Sequence, residues 1–472
     1  MLDVITSAID DRSARGIAGA VSRLVMSGAL PPGTRLPTVR ELATELGISP
    51  TTVSQAWRTL ARAGVISPRG RAGTFVLAGP PASAEPRRYR RITRSPGRLP
   101  HDYSTGTPDV ALLPDLAPVL ARVASGGNLT ASYLDDPVLP ALEKALRARW
   151  PFPPAALTVV DGALDALDRV TGVLVGFGSR VLVENPCFPP LLDLLEAVGA
   201  EVVALPLDDE GIQPDALRAA LGAVSPAGAA YRAVASSPGG TAASTGATGP
   251  AGAAPVALYL QPRAHNPAGV SMSPRRAGAL AELLAGSGVT VIEDDHVGDV
   301  AAAAPVSLGA HLPEATVHIR SFSKSHGPDL RLAAVGGVES VVNGLVSRRM
   351  LGPGWSSRLL QAVLAELLDD DDTERTLTRA REVYASRRER MTAALAARGV
   401  RAQAADGINL WMEVEDEQVA LVSLAARGIG AAPGTPFEAA PLGVAHLRVT
   451  VGLIPDDDID DVARLLTEAA HG

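Results

Sequence analysis

The sequence predicts an α/β protein in two unlike parts: a small helical head closed by a β-hairpin, and a large body built on a mostly parallel sheet. Three observations carry this expectation. The 472 residues exceed what a single core usually organises. Residues 1–100 hold fifteen arginines against six acids, a balance of +9 that leaves −17 for the remainder. From residue 101 onward, short apolar runs alternate with helical stretches, the rhythm of a doubly wound sheet. The expected boundaries are a head over 1–78, a Pro- and Arg-rich linker over 79–100, and a body over 101–472. A low-complexity insertion, "ASSPGGTAASTGATGPAGAAP", interrupts the body at about 235–255.

Composition excludes several classes. Hydrophobic residues make up 46% and charged residues 20%, as in a soluble globular chain, and no apolar run is long enough to span a bilayer. The opening "MLDVITSAIDDRSARG" lacks an apolar core, so no secretory signal is expected. Cys187 stands alone, which excludes an intramolecular disulfide and a Cys-rich zinc site, and no metal centre is expected. A reducing cytoplasm fits best. A basic head on an acidic body points to an anionic partner for the head.

The head reads in order. Thr38 and Glu41 form a capping box that opens a helix with Val39, Leu42, Ala43 and Leu46 on its apolar face. Gly47 stops it and Ile48 packs the turn. Ser49 caps a second helix with Pro50 at its first position. There Val53, Ala56, Trp57 and Leu60 form the buried stripe, leaving Thr51, Thr52, Gln55 and Arg58 on the other side. Two short helices around a tight turn make a helix-turn-helix, and "GVISPRGRAGTFVL" adds a wing with a basic tip at Arg69, Gly70, Arg71 and Gly73. Residues 79–100 are expected to be extended and solvated; their arginines either touch phosphates or only keep the tether soluble.

In the body, strands are expected at 157–160, 180–183, 201–205, 256–260, 289–292 and 316–319, with helices at 165–175 and 189–197. Ligands of such sheets gather beyond the C-terminal strand ends. "TVHIR" runs into "SFSK", which places Lys324 at a strand exit. Only Lys324 and Lys144 among the 43 basic residues are lysine, and an ammonium that loses its proton can form an imine where arginine cannot. "VTVIEDD" ends in Asp294 and Asp295, a partner for a protonated pyridine nitrogen. "TVVDGALDAL" places Gly162, Ala163 and Leu164 at a helix start whose free amides suit a phosphate. Arg331, Ser321 and Ser323 could complete the clamp. Phe188 can stack on a flat ring, and Asn266 in "RAHNPAG" can donate to a phenolic oxygen. Taken singly, Asp294 could be a cap, Phe188 a core residue and Arg331 a surface cation. Together they describe a pyridoxal phosphate site.

These motifs resemble two families. The head is similar to the GntR-type winged helix over residues 36–76. That resemblance implies DNA contacts from Arg35, Arg40, Ser49, Thr51, Thr52, Gln55, Arg58, Arg71 and Gly73, with Pro50 where the family usually has arginine. The body, through "NPAG", "IEDDH", "SFSK" with arginine seven residues on, and "HLRVTVGL", resembles fold-type I aminotransferases over about 101–470. By this resemblance Lys324 forms the internal aldimine, Asp294 pairs with the pyridine nitrogen, Asn266 meets the ring oxygen and Arg331 binds phosphate. It further implies that Arg448, in an alternating strand, grips a substrate carboxylate and Tyr133 reaches the phosphate across a dimer interface. His296 takes the cofactor-binding position near the ring oxygen where the family usually has tyrosine, and its imidazole is expected to hydrogen bond there; Leu164 replaces a commoner polar residue beside the phosphate. The two halves together resemble the MocR subfamily of GntR regulators, usually domain-swapped dimers. The resemblance implies a regulator that binds an operator duplex and senses an amino acid, an amine or pyridoxal phosphate itself. A working aminotransferase with an accessory head, or a cofactor-free scaffold, stay open as alternatives.

Overall fold

The computed structural model describes every residue except 1, 10, 27–28, 32, 63–64, 69–72, 77–86, 93–98, 127–134 and 223–253. The head comprises α1 (Leu2–Ser7), α2 (Ala14–Met26), β1 (Arg35–Leu36), α3 (Val39–Leu46), α4 (Pro50–Arg62), β2 (Ile66–Pro68) and β3 (Thr74–Val76). The Thr38–Glu41 capping box is present in both directions, and Gly47 ends α3 with φ 65°, a left-handed backbone that glycine adopts without penalty. Ser49 Oγ accepts from the Thr51 amide at the start of α4. Val53, Ala56, Trp57 and Leu60 are buried against Leu42, Leu46 and Ile17. β1 pairs with β3 and β3 with β2, all antiparallel, so the hairpin gains a third strand. The wing tip with Arg69, Gly70 and Arg71 lies outside the described residues.

Next come α5 (Arg87–Ile92) and β4 (His101–Asp102), then α6 (Leu116–Gly126), α7 (Pro140–Ala148), β5 (Ala156–Val160), α8 (Ala163–Leu174), β6 (Arg180–Asn185), α9 (Pro189–Ala197), β7 (Glu201–Asp208), β8 (Gly211–Ile212) and α10 (Pro214–Gly222). The chain continues with β9 (Ala257–Leu260), α11 (Pro274–Leu284), β10 (Thr290–Asp295), β11 (Thr316–Ser321), β12 (Ala333–Gly337), α12 (Glu339–Met350), α13 (Arg358–Leu368) and α14 (Asp371–Ala396). It closes with β13 (Ala402–Gln403), β14 (Leu410–Val414), α15 (Glu417–Ala426), β15 (Ile429–Gly430), β16 (Ala432–Pro433), β17 (Ala445–Val449) and α16 (Ile459–Ala470). The low-complexity insertion falls between α10 and β9, almost wholly outside the described residues.

The large sheet has the order β5-β12-β11-β10-β9-β6-β7-β8. β11, β10, β9, β6 and β7 are parallel. β12 lies antiparallel between β11 and β5, so β5 runs the same way as β11. Alternate residues face opposite layers. Val181, Val183, Tyr259 and Ile292 pack under α8, α9 and α12, while Leu182, Leu258, Leu260 and Val291 pack under α10 and α11. Helices therefore cover both faces, which is the doubly wound α/β arrangement expected. A smaller sheet, β13-β14-β17-β16, packs with α14, α15 and α16.

One expectation needs correction. Part of the 79–100 linker is helix α5 rather than extended chain. The Asp193 carboxylate accepts from the Arg88 and Tyr89 amides, and Ile92 is buried. These tertiary contacts outweigh the extended preference of the surrounding Pro-rich stretch.

Candidate functional site

Because β5, β6, β9, β10 and β11 run in one direction, the residues after their C-terminal ends meet at one edge of the large sheet. Lys324 sits in the turn after β11 and is partly exposed. Burial of its ammonium pulls the pKa down to about 8, opposed by the Asp294 carboxylate and assisted by Arg448. A share of free amine is therefore present near neutral pH.

Asp294 and Asp295 leave β10 on opposite faces. Asp295 is taken by Arg263, 2.6 Å away. Asp294 is buried; its Oδ2 accepts from Gln261 Nε2 at 2.8 Å, while Oδ1 has no partner. Burial lifts its pKa to about 6, against the Gln261 bond and the Lys324 charge. A buried acceptor without a donor costs roughly 1–3 kcal/mol, so this oxygen is built to meet one. Phe188, at the N-cap of α9, lines the same small cavity as Asp294 and Gln261.

Gln261 also binds Asn266: its Oε1 accepts from the Asn266 amide at 2.7 Å. Asn266 Oδ1 in turn accepts from Asn409 Nδ2 and lies 3.4 Å from Arg448 Nη1, which leaves Asn266 Nδ2 as the donor. Gln261 was missed in the sequence. Its only signal there is a polar residue closing an apolar strand five positions before Asn266.

Residues expected at a phosphate lie at the start of α8 and the end of β11. Gly162 precedes α8 with φ 102° and no side-chain cap, and the first helical bond runs from the Ala166 amide to Gly162. The amides of Ala163, Leu164 and Asp165 thus have no intrahelical partner. Arg331, held at φ 48°, brings its guanidinium over Gly162, where an added Cβ would stand 3.1 Å from Nη2. Leu164 is exposed beside it. At the end of β11, Ser321 Oγ accepts from the Ser323 amide. Gly162→Ala is expected to cost about 1–2 kcal/mol in stability through its backbone alone. It should also weaken phosphate binding by displacing Arg331, as thermal unfolding and a phosphate titration would measure.

Arg448, on β17, is buried. Its Nη2 donates to Ser104 O, its Nε has no partner, and its guanidinium carbon lies 5.2 Å from the Phe437 ring centroid. Burial lowers its pKa to about 10, so it stays charged. His296 departs from expectation. Its Nε2 donates to Ala264 O at 3.0 Å, which leaves Nδ1 only as an acceptor. Burial, then Lys324, lower its pKa to about 3. A neutral ring with its one N–H committed cannot donate to a ring oxygen. Tyr133 lies outside the described residues.

In the head, Arg35 on β1, Arg40 on α3, Ser49 before α4 and Thr51, Gln55 and Arg58 on α4 are exposed, and Thr52 is half-exposed. Arg35 packs against Gly73, whose φ is 107°. Arg58 Nε bonds back to Ser54 O, and Arg71 is outside the described residues.

Known proteins agree with both halves. Residues 102–466 match the family "Aminotransferase class I and II", and residues 13–76 match "Bacterial regulatory proteins, gntR family". The vitamin B6 salvage pathway transcriptional repressor PtsJ of Salmonella typhimurium is 33% identical over 98% of this chain and 100% of its own length. The regulator TauR of Rhodobacter capsulatus is 28% identical over 88% of each chain. Among solved structures, the α-aminoadipate aminotransferase LysN of Thermus thermophilus aligns with a TM-score of 0.66 at 23% identity, covering 81% of this chain and 96% of that one. The kynurenine aminotransferase of Pyrococcus horikoshii aligns at 0.68 and 20% identity over 82% and 94%. A gntR-type head on an aminotransferase-class body defines a transcriptional regulator with an enzyme-like domain. The chain belongs to the MocR-type branch of that class.

Membership implies pyridoxal 5'-phosphate as the cofactor. The residues fit it: an orphaned carboxylate oxygen for the pyridine N–H, free amides and a guanidinium for the phosphate, and an amine of lowered pKa for the aldehyde. No helix among the described residues is long and apolar enough to cross a membrane.

Proposed function

We propose that this protein is a cytoplasmic, DNA-binding transcriptional regulator that senses an amino compound, or pyridoxal phosphate itself, through Lys324. The observation that carries the reading is the Lys324 amine, its pKa drawn down to about 8, beside the half-unpaired Asp294, in a chain that also bears a helix-turn-helix. When bound, the cofactor supplies an aldehyde and an electron-withdrawing ring. The chain's own residues do the rest. Asp294 holds the ring nitrogen's proton, Asn266 Nδ2 donates to the ring oxygen, and Phe188 covers a ring face. Gly162, Ala163, Leu164, Ser321, Ser323 and Arg331 seat the phosphate, with Tyr133 from the second subunit of a domain-swapped homodimer. Arg448 receives a ligand carboxylate. PtsJ is named as a repressor of vitamin B6 salvage, which supports the cofactor as one candidate signal.

The head reads a duplex through α4, with Ser49, Thr51, Thr52 and Gln55 toward the bases. Arg35, Arg40, Arg58, Arg71 and the Gly73 backbone serve as the phosphate contacts of this reading. Arg40→Ala is expected to weaken binding to all duplexes alike and reduce the slope of log affinity against log salt by about 1. An unchanged slope, measured by fluorescence anisotropy, would tell against a phosphate contact.

A second reading, a turning-over aminotransferase with an accessory head, is favoured by the joint presence of Lys324, Asp294 and Arg448. Absorbance spectra of the holoprotein before and after each amino acid, followed by operator binding, test the first. Repeated turnover of an amino acid and keto acid pair would replace it with the second.

A further inference from the structure

The cross-strand neighbours of Arg448 in the small sheet are Trp411 on β14 and Ala432 on β16. Directly opposed residues of antiparallel strands share a face. Trp411, Ala432 and Phe437 form one apolar cluster, and its remaining fully buried member is Ile92, the last residue of α5. The Phe437 ring lies under the Arg448 guanidinium and edge-on to Trp411, with centroids 5.6 Å apart. The sheet face that carries the carboxylate-binding arginine is therefore the face that α5 covers.

α5 is anchored at its other end too. The Arg88 amide donates to both Asp193 oxygens, at 3.2 and 3.0 Å, and the Tyr89 amide donates to Oδ2 at 3.2 Å. Asp193 belongs to α9, the helix that begins after Phe188. Arg88 Nη1 reaches Glu438 O at 2.9 Å, next to Phe437. One short helix thus bridges α9, which begins after Phe188, and the apolar cluster that lies beneath Arg448. In sequence it is also the last described helix before the tether to the head runs back toward residue 76.

We propose that α5 reads the occupancy of the ligand site and passes it to the head. The inference rests on the reading of Arg448 as the ligand-carboxylate site. In the described geometry Arg448 spends its guanidinium on Ser104 O and the Asn266 amide oxygen. A carboxylate that takes those N–H groups bidentately shifts the guanidinium relative to Phe437. Phe437 and Ile92 belong to one apolar cluster, so the shift alters how α5 seats. Such coupling is reciprocal: DNA binding changes ligand affinity by the same factor that ligand changes DNA affinity.

The test uses full-length holoprotein, the standard amino acid that most shifts its visible band, and a duplex selected by the protein from a random pool. The variant is Asp193→Asn, which weakens the anchor without touching the ligand site or adding or removing a cation near DNA. The expected result is an unchanged spectral response, with the ratio of DNA affinities with and without amino acid falling to within about twofold of unity, where intact coupling is typically about 5- to 150-fold. In the unmodified protein, hydrogen exchange of the 87–92 peptide should change on adding the amino acid. A variant that keeps both responses, with no change in exchange at 87–92, overturns the proposal. If Asp193→Asn also loses the spectral response, Ile92→Ala decides. Loss of the spectral response there too makes α5 a structural support and ends the proposal; its retention with lost DNA response upholds it. An unmodified protein whose spectrum answers no amino acid refutes the ligand-site reading itself, and the proposal with it.

Discussion

Lys324→Ala is expected to abolish the visible absorbance of the protein mixed with pyridoxal phosphate, and with it any ligand-dependent change in DNA binding. The physical reason is specific to the amine. Its surroundings strip it of water and pull its pKa to about 8. The other lysine, Lys144, is exposed on α7. Lys324→Arg should fail equally, because a guanidinium keeps charge but cannot bond an aldehyde carbon. Reduction with borohydride followed by peptide mapping should leave the label on the peptide containing residue 324. The rate of capture should rise with pH through about 8, since the nucleophile is the deprotonated form and burial has lowered the pKa from its usual value. A coloured, ligand-responsive Lys324→Ala protein would remove the foundation of the proposed function.

Arg448→Ala is expected to leave cofactor colour intact but to weaken α-amino acids by about 2–5 kcal/mol, roughly 30-fold or more in affinity. The guanidinium is buried yet charged, with Nε free. Removing it takes away a two-pronged partner and leaves the ligand's carboxylate in a poorly solvated site. Simple amines without a carboxylate should bind the variant as well as they bind the parent protein. Titration of the visible band with an amino acid and its decarboxylated amine, side by side, separates these outcomes. Equal losses for both ligands would mean that Arg448 supports the fold of the pocket and does not grip a carboxylate.

Much of the architecture was legible because local and tertiary demands agree. The Thr38–Glu41 box, the left-handed Gly47 and the Val53–Leu60 stripe are local signals, and the head obeys them. The six expected strands appear within a few residues of their limits, since apolar runs buried on both faces have little else to become. Lys324, Asp294, Gly162 and Arg331 could be placed at strand exits because parallel sheets put loops there. What escaped notice depends on partners far along the chain. β12 is written "AAVGG", with a single branched residue to announce a strand, and exists because β5 and β11 flank it. Of the small sheet only the Arg448 strand was visible. α5 is held by Asp193, a hundred residues away. The His296 ring is captured by a neighbouring carbonyl that no spacing rule indicates.

Gln261 ties two parts of the site together mechanically. A single carboxamide grips Asp294 with its nitrogen and the Asn266 amide with its oxygen. The two poles of a bound heterocycle would then hang from one rigid planar bracket. A ligand that tips the ring cannot relax at one pole while leaving the other in place; the whole seat rocks together. On the proposed reading, a receptor mounted this way would answer in one motion and not by degrees.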